Sequence, residues 1–453
     1  MFLKIRNVKF MAILAFPISS LFSCNPNPIE YLKNVDDLLV QNNIQSHLEY
    51  LASPELGGRT SGSLENQLAC DYVASQFQEF GLSKYSQQTN YFQPYVQENT
   101  RVFTDYFSFR MSNIDNTESN IFRYSHDFSF FIDQLYPSYE YVASGSFFDG
   151  EGELVSYADS STNYENKFVI LGNLTSDVYH ELLDEKAKGA LILDYDDYPA
   201  IEYGQGEYLF GDSDFLLLNV KYDTYNQMLE NISNGINQID SSYTVDISSK
   251  TVNNVIGILD VGAPTSVIVS SHIDHLGRFD GEDDGYYAGA LDNASGVASM
   301  LELARIYSSN KEHLKTNYIF IAYNGEEAGL YGSQYYSKHL VGERSTTAAS
   351  FNLDMLGGGS DSYLLEIIGY IGSLRNRLVS KCAEYAISNY AIEGNDPNSD
   401  HYWLGKMSIP SLSFVHFDDR YYHTPNDTID KINYDVLLNQ LSMISSLMLF
   451  SYN

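Results

Sequence analysis

The sequence predicts an α/β fold: a mostly parallel mixed sheet with helices on both faces, interrupted by an inserted β-rich unit. Three observations carry this. From Val252 onward, apolar runs alternate with stretches of helical spacing. Those runs are nearly continuous, as expected of strands covered on both sides. Between residues 118 and 242 the texture changes to short β-type runs, and a chain of 453 residues exceeds one ordinary core.

The N-terminus reads as an address. Lys4, Arg6 and Lys9 precede an apolar stretch, Phe10 to Phe22, too short to span a bilayer. It ends in "LFSC", where Leu21 and Ser23 before Cys24 resemble a bacterial lipoprotein box. Residues 1–23 are therefore expected to be a signal peptide and 24–40, opening on "CNPNP", a tether. The expected location is outside the cytoplasm, anchored to a bacterial membrane through lipid on Cys24. No later segment is apolar enough to cross a membrane. With Cys24 lipidated, only Cys70 and Cys382 remain, so disulfides do not build the fold.

Residues 41–117 are assigned to the first part of the main domain. Leu68, Tyr72, Val73, Phe77 and Phe80 recur at helical spacing, Gly81 is a natural stop, and "SPELGGRTSGS" before them is a turn-rich loop. The insert, 118–242, offers the strands "GELVSYA", "KFVILGNL", "GALILDYD" and "FLLLNVKYD" and one helix, "DVYHELLDEKAKGA". Its His126 and His180 lack an acid at ligand spacing. The remainder, 243–453, alternates strands ("NNVIGILD", "SVIVSSHID", "NYIFIAYN", "AASFNLDML", "YLLEIIGY", "PSLSFVHF") with helices ("ASGVASMLELARIYSS", "GLYGSQYYSKHL", "SLRNRLVSKCAEYAIS", "YDVLLNQLSMISSLMLF").

A formal charge of −33 excludes nucleic acid and anionic lipid surfaces as natural partners, since phosphate binding needs clustered Lys and Arg. In parallel sheets ligands bind beyond the carboxyl ends of strands. Five segments deliver an acid or imidazole there: His272 and Asp274, Asp292, Glu326 and Glu327, Asp354, and His423. Singly, each is ordinarily a solvated or helix-capping residue; the argument rests on the set. Gathering so many carboxylates without a cation is costly. Two His with Asp292, Glu327 and Asp354 supply mixed N/O ligation that suits zinc, with manganese or cobalt as substitutes. Five ligands, one bridging, give three to each of two ions.

"SHIDHLG", "GALDNASGVASMLELAR", "NGEEAGLYGS", "NLDMLG" and "YYHTPNDT" resemble the zinc exopeptidases of metallopeptidase family twenty-eight. The likeness extends upstream to "HLEYLASPELGGRTSGS". The insert is similar, more loosely, to a protease-associated domain through "NKFVILGNL" and "KAKGALILDYDD". The resemblance implies a zinc-peptidase fold. It implies that His272 and Asp354 bind one Zn2+, Glu327 and His423 the other, and Asp292 bridges. Glu326 falls where the family has its general acid/base, and Asp274 where an acid orients the first His. A cis peptide is implied after Asp292.

The function so implied is an aminopeptidase acting on peptide substrates. Glu326 would take a proton from the attacking water and pass it to the leaving amine. A carboxypeptidase would need a cation for the substrate carboxylate, for which Arg278 and Arg420 are candidates. A glutaminyl cyclase on the same fold, or a binding homologue without catalysis, are the further alternatives. Asp400 and His401 in "NDPNSDHYW" either line the substrate pocket or cap a helix. His275 and His416 are expected to be structural or solvated. Asp418, Asp419 and Tyr421 lie near His423 in the chain.

Overall fold

The structure, a computed structural model, describes residues 38–85, 90–123, 128–130, 147–157, 163–193, 215–278, 285–359, 364–416 and 420–452. The expected signal peptide, Cys24, most of the tether, His126, Asp418 and Asp419 lie outside the described residues.

The chain enters through α1 (Gln41–Leu51), whose Ile44, Leu48 and Leu51 form one buried stripe. The helix α2 (Leu64–Glu79) starts where expected: the Ser63 hydroxyl accepts the Asn66 N–H, a cap that contributes about 1 kcal/mol. It stops before Gly81, whose φ of +73° lets the chain reverse. The long strand β1 (Phe92–Ser112) then leaves the main domain. The insert contributes β2 (Phe147–Ser156), β3 (Lys167–Leu171), α3 (Ser176–Asp184), β4 (Gly189–Leu193), β5 (Leu216–Val220) and α4 (Tyr222–Ser233). The chain returns along β6 (Gln238–Leu259), antiparallel to β1 from Ser112↔Gln238 to Phe92↔Val255.

The main domain follows with β7 (Ser266–His272), α5 (Gly296–Ser309), β8 (Asn317–Tyr323), α6 (Tyr331–Lys338), β9 (Thr347–Asp354), β10 (Leu365–Tyr370), α7 (Arg375–Glu384), β11 (Tyr390–Glu393), α8 (His401–Lys406), β12 (Ser411–Val415) and α9 (Tyr434–Tyr452). Among the described residues the strands join one sheet, whose path runs β11-β10-β12-β9-β7-β8-β6-β2-β3-β4-β5. The central pairs β8–β7, β7–β9 and β9–β12 are parallel. The pairs β6–β8 and β10–β12 are antiparallel, which makes the sheet mixed.

Both faces of the central sheet are covered, as the unbroken apolar runs require. Val267 and Val269 join the cluster under α1, α2, α5 and α9, whereas Ile268 faces the opposite cluster with Tyr336 of α6 and Leu404 of α8. In β8, Tyr318 and Phe320 go one way, Ile319 and Ile321 the other. Each such fully buried side chain contributes about 1.5–3 kcal/mol.

The insert has cores of its own on the two faces of its sheet. One gathers Phe109, Phe168, Leu191 and Met228, the other Tyr164, Val169, Tyr179 and Ile192. Phe109 and Met111, ahead of residue 118, already belong to the first of these. The strands β1 and β6 are thus common to both units.

Candidate metal centre

Three adjacent parallel strands end together. His272 pairs with Tyr323 at the tips of β7 and β8, and β9 closes on Asp354, which pairs with Val415 of β12. Their carboxyl ends therefore share one edge, and the loops beyond it carry the chemistry. Asp292 lies in the irregular turn Ala290–Ser295 that leads into α5, and its peptide bond to Asn293 is cis, as the resemblance implies. Glu326 and Glu327 follow β8, and His423 lies in the loop after β12.

These side chains converge. His272 Nε2 lies 3.2 Å from Asp292 Oδ1 and 3.4 Å from Asp354 Oδ1. His423 Nε2 lies 3.2 Å from Asp292 Oδ2 and 3.2 Å from Glu327 Oε2. Asp292 thus turns one oxygen to each imidazole. Two groups emerge whose ligand atoms lie within 4.8 Å of one another: His272, Glu326 and Asp354; and His275, Asp292, Glu327 and His423. All five expected ligands and Glu326 are brought together.

His275 is the unexpected member. It is buried rather than solvated, with Nδ1 2.7 Å from Glu327 Oε1. Tyr422 stacks its ring on His423 at 3.8 Å.

Supporting hydrogen bonds hold the loops. The Asp274 carboxylate accepts the N–H groups of Glu326 and Glu327, at 3.1 and 3.3 Å. It lies 4.0 Å from His272 Nδ1, which instead donates to the Asp274 carbonyl at 3.2 Å. Because a carbonyl only accepts, that bond keeps a proton on His272 Nδ1 and turns Nε2 toward Asp292 and Asp354, the nitrogen that would bind a cation on losing its own proton. Asp274 therefore orients the imidazole through its backbone and the glutamate turn through its carboxylate.

Asp427 accepts the N–H groups of Leu291 and Asp292, at 2.8 and 3.0 Å. The Asn293 side chain donates to Ser271 Oγ and the Leu353 carbonyl and accepts from Gly296 and Met355, tying the ends of β7 and β9 to α5. Ser399 donates to Asp354 Oδ2 at 2.5 Å. Beneath the glutamates, Tyr95 of β1 donates to the Asn324 carbonyl at 2.7 Å, and Asn254 of β6 accepts the Asn324 N–H at 3.1 Å.

The electrostatics call for positive charge. Burial alone would raise the Asp292 carboxyl, but the imidazoles of His275, His272 and His423 outweigh it and hold it well below the usual range. Burial, reinforced by Glu327, Asp400 and Asp354 against His272, pushes Glu326 well up. His272 and His423 are driven well above the ordinary imidazole value, the acids overcoming desolvation.

The donor set fits a metal. It holds only N and O atoms, and Asp354 Oδ1 is buried with only the His272 imidazole, 3.4 Å away, turned to it. The 3.2–3.4 Å separations between ligand atoms are long for charge-assisted hydrogen bonds. They match the edge of a tetrahedron with bonds of about 2.0–2.1 Å, the zinc–nitrogen and zinc–oxygen range.

The remaining polar residues fall into different settings. Asp400 is buried and makes no side-chain cap on α8; the Ser333 hydroxyl is beside it, and burial raises it to about 7. The capping alternative is thereby excluded. His401 is buried at the start of the same helix, and desolvation lowers it to about 4. Arg278 donates to the Pro54 carbonyl at 3.1 Å and lies 3.6 Å from Glu65. Arg420 sits over the Tyr421 ring. His416 is buried and its N–H donates to the Met355 carbonyl. In the insert, His180 is exposed.

A family model described as "Peptidase family M28" matches residues 254–448. Aminopeptidase YwaD of Bacillus subtilis is 30% identical over 203 residues, covering 41% of this chain and 42% of that protein. This chain thus spans less than half the length of that curated relative. The uncharacterised protein YfbL of Escherichia coli is 24% identical over 242 residues, 46% of this chain and 74% of that protein. Among solved structures, the aminopeptidase from Aneurinibacillus sp. strain AM-1 superposes with a TM-score of 0.59 at 23% identity, over 91% of this chain and 94% of that one. The zinc aminopeptidase BSAP from Bacillus subtilis gives 0.58 at 19% identity, over 90% and 94%. These superpositions establish the same fold.

Proposed function

The chain belongs to peptidase family M28 through its residues 254–448, and from that premise we propose that it is a two-zinc aminopeptidase. The observation that carries the reading is Asp292, whose Oδ1 faces His272 and whose Oδ2 faces His423. A carboxylate so shared suits a bridge. His272 and Asp354 would hold one ion, Glu327 and His423 the other, with manganese or cobalt as substitutes. When bound, the ions polarise a substrate carbonyl and make water a stronger nucleophile.

The chain's own residues do the rest. Glu326 sits beside the ligands without being needed as one. As general base it takes a proton from the attacking water and, as acid, delivers it to the leaving amine. Burial suits this, because a desolvated carboxylate is a stronger proton acceptor. Asp274 fixes the turn that aims Glu326.

The end of the peptide follows from charge. Acids crowd the centre and suit a substrate ammonium, whereas Arg278, a candidate for a C-terminal carboxylate, is engaged by Pro54 and Glu65. The unit over 118–242 is read as a protease-associated-like insert without chemistry. Its short parallel strands support this, as does the lack of a metal-type cluster there among the described residues. Export and a lipid on Cys24 complete the proposal; radiolabelled fatty acid incorporated into the wild-type chain but not into Cys24→Ala is its test.

For the reaction, rates are compared on amino-acid p-nitroanilides, N-blocked peptides and peptides with N-terminal Gln, with and without chelator. Chelator-sensitive cleavage of free-amine substrates alone supports the aminopeptidase. Cleavage of N-blocked peptides, or pyroglutamate formation, rejects it.

A further inference from the structure

Arg59, in the loop "GGRTSGS", is 1% exposed. Its guanidinium makes four hydrogen bonds, all to backbone carbonyls. Nε donates to Ile273 at 3.0 Å, Nη1 to Ala288 at 2.9 Å and to Leu51, and Nη2 to Gly289 at 3.0 Å.

Two of these contacts bear on the centre. Ile273 stands between His272 and Asp274, and Ala288–Gly289 open the turn that presents Asp292. One rigid, planar group therefore spans the two loops that supply the bridging carboxylate and its imidazole partner. The loop is built to press close. Gly58, at φ +78°, packs so tightly that a Cβ would lie 2.5 Å from the Gly277 carbonyl oxygen and 2.6 Å from that of Tyr287. Arg59 itself adopts a left-handed φ of +53°, and its carbonyl accepts the Asn66 amide at 3.0 Å. Burial brings its guanidinium down to about 10, against the pull of Asp427, Asp292, Asp274 and Glu327, so it stays charged at neutral pH.

A buried Arg saturated by carbonyls brings no ion pair to offset its desolvation, and an apolar side chain would fill the space at lower cost. What an apolar side chain cannot do is measure the gap between two loops. We propose that Arg59 is a positioning residue for the metal centre, its guanidinium setting the spacing of the loops that carry His272 and Asp292 before any cation arrives. This rests on reading the site as a metal centre. The group itself touches neither ion nor substrate, and it acts through backbone.

The test measures Zn2+ dissociation constants, by competition with a chromophoric chelator, for the full wild-type chain, Arg59→Met and Arg59→Lys. Thermal midpoints of the metal-free proteins are taken alongside. Arg59→Met is expected to weaken zinc binding by about 10–100-fold, the usual effect of removing a group behind metal ligands. Arg59→Lys, which keeps the charge but not the fork, is expected to restore little of it. A lowered midpoint with wild-type zinc affinity in Arg59→Met would overturn the proposal as mere stapling. Full restoration by Lys would overturn it in favour of charge alone.

Should neither variant fold, hydrogen exchange on wild type decides. Amides of 271–276 and 287–293 are expected to be as well protected without Zn2+ as those of the neighbouring strand cores, any gain with zinc being shared by both; segments that exchange faster than the cores until zinc is added overturn the proposal. Failure of the wild-type chain to bind zinc sinks the metal-centre reading instead, so the two failures are distinct.

Discussion

His275 Nδ1 lies 2.7 Å from Oε1 of Glu327, the second of two adjacent glutamates. The contact takes up the Glu327 oxygen that is not turned to His423. A carboxylate held at one oxygen presents the other in a fixed direction, which is how groups behind a ligand tune a metal site.

His275→Ala is therefore expected to leave Glu327 free to rotate and to weaken the ion held by Glu327 and His423. The loss expected is about 10–100-fold in zinc affinity, read by titration with a competing chelator. An unchanged affinity at that half-site would remove His275 from the design.

Glu326→Gln preserves size and removes the base. Its zinc content, measured by elemental analysis, should match wild type, while kcat falls about a hundred- to ten-thousand-fold. Turnover near wild type would rule out Glu326 as the proton carrier.

Metal removal should destabilise the fold as well as stop the reaction. Asp292, Asp354, Glu326 and Glu327 are brought together with imidazoles as their neutralising partners. Zinc at a thousand times its Kd adds about 4 kcal/mol to the folded state, so the thermal midpoint should climb with zinc and drop after chelation. Identical midpoints would contradict a buried site.

A separate pH effect is expected far from the strand ends. His47, bonded to the Tyr72 hydroxyl at 2.7 Å, has its pKa lowered from 6.5 to about 4, chiefly by burial. Between those values the unfolded chain binds the extra proton, so stability falls as pH drops through 6.5 toward 4 and loses nothing more below. The full effect is about 3 kcal/mol. Denaturation midpoints of His47→Gln should decline less over this window; parallel curves for the two proteins would refute the assignment.

What could be read from the chain follows from where each residue stands. His272 and Asp354 terminate apolar runs, so the change from apolar to polar marks both the strand end and the candidate ligand. The runs in β7, β8, β9 and β12 were legible because nothing but a doubly covered strand tolerates them. Other residues act across long sequence separations. His275 reaches Glu327 over 52 positions, Asp427 reaches Asp292 over 135, and Arg59 reaches Gly289 over 230. Their targets are partly main-chain atoms, which leave no signature in side-chain identity. The helix α1 escaped notice for a local reason: Val40 precedes it and makes no side-chain cap. Strand β1 was hidden differently, since its length is set by β6, its distant partner.

That partnership also bears on protein engineering. Tyr95 and Asn254, which grip the carbonyl and amide of Asn324 just ahead of the Glu326–Glu327 turn, stand on the same two strands that run on into the appended unit. Scissors placed at the root of that unit would cut the brace together with the ornament. A trimmed chain must keep the paired stubs Phe92–Gln97 and Lys250–Val255 and close them with a tight hairpin. The appendage grows from the strands that brace the candidate metal centre.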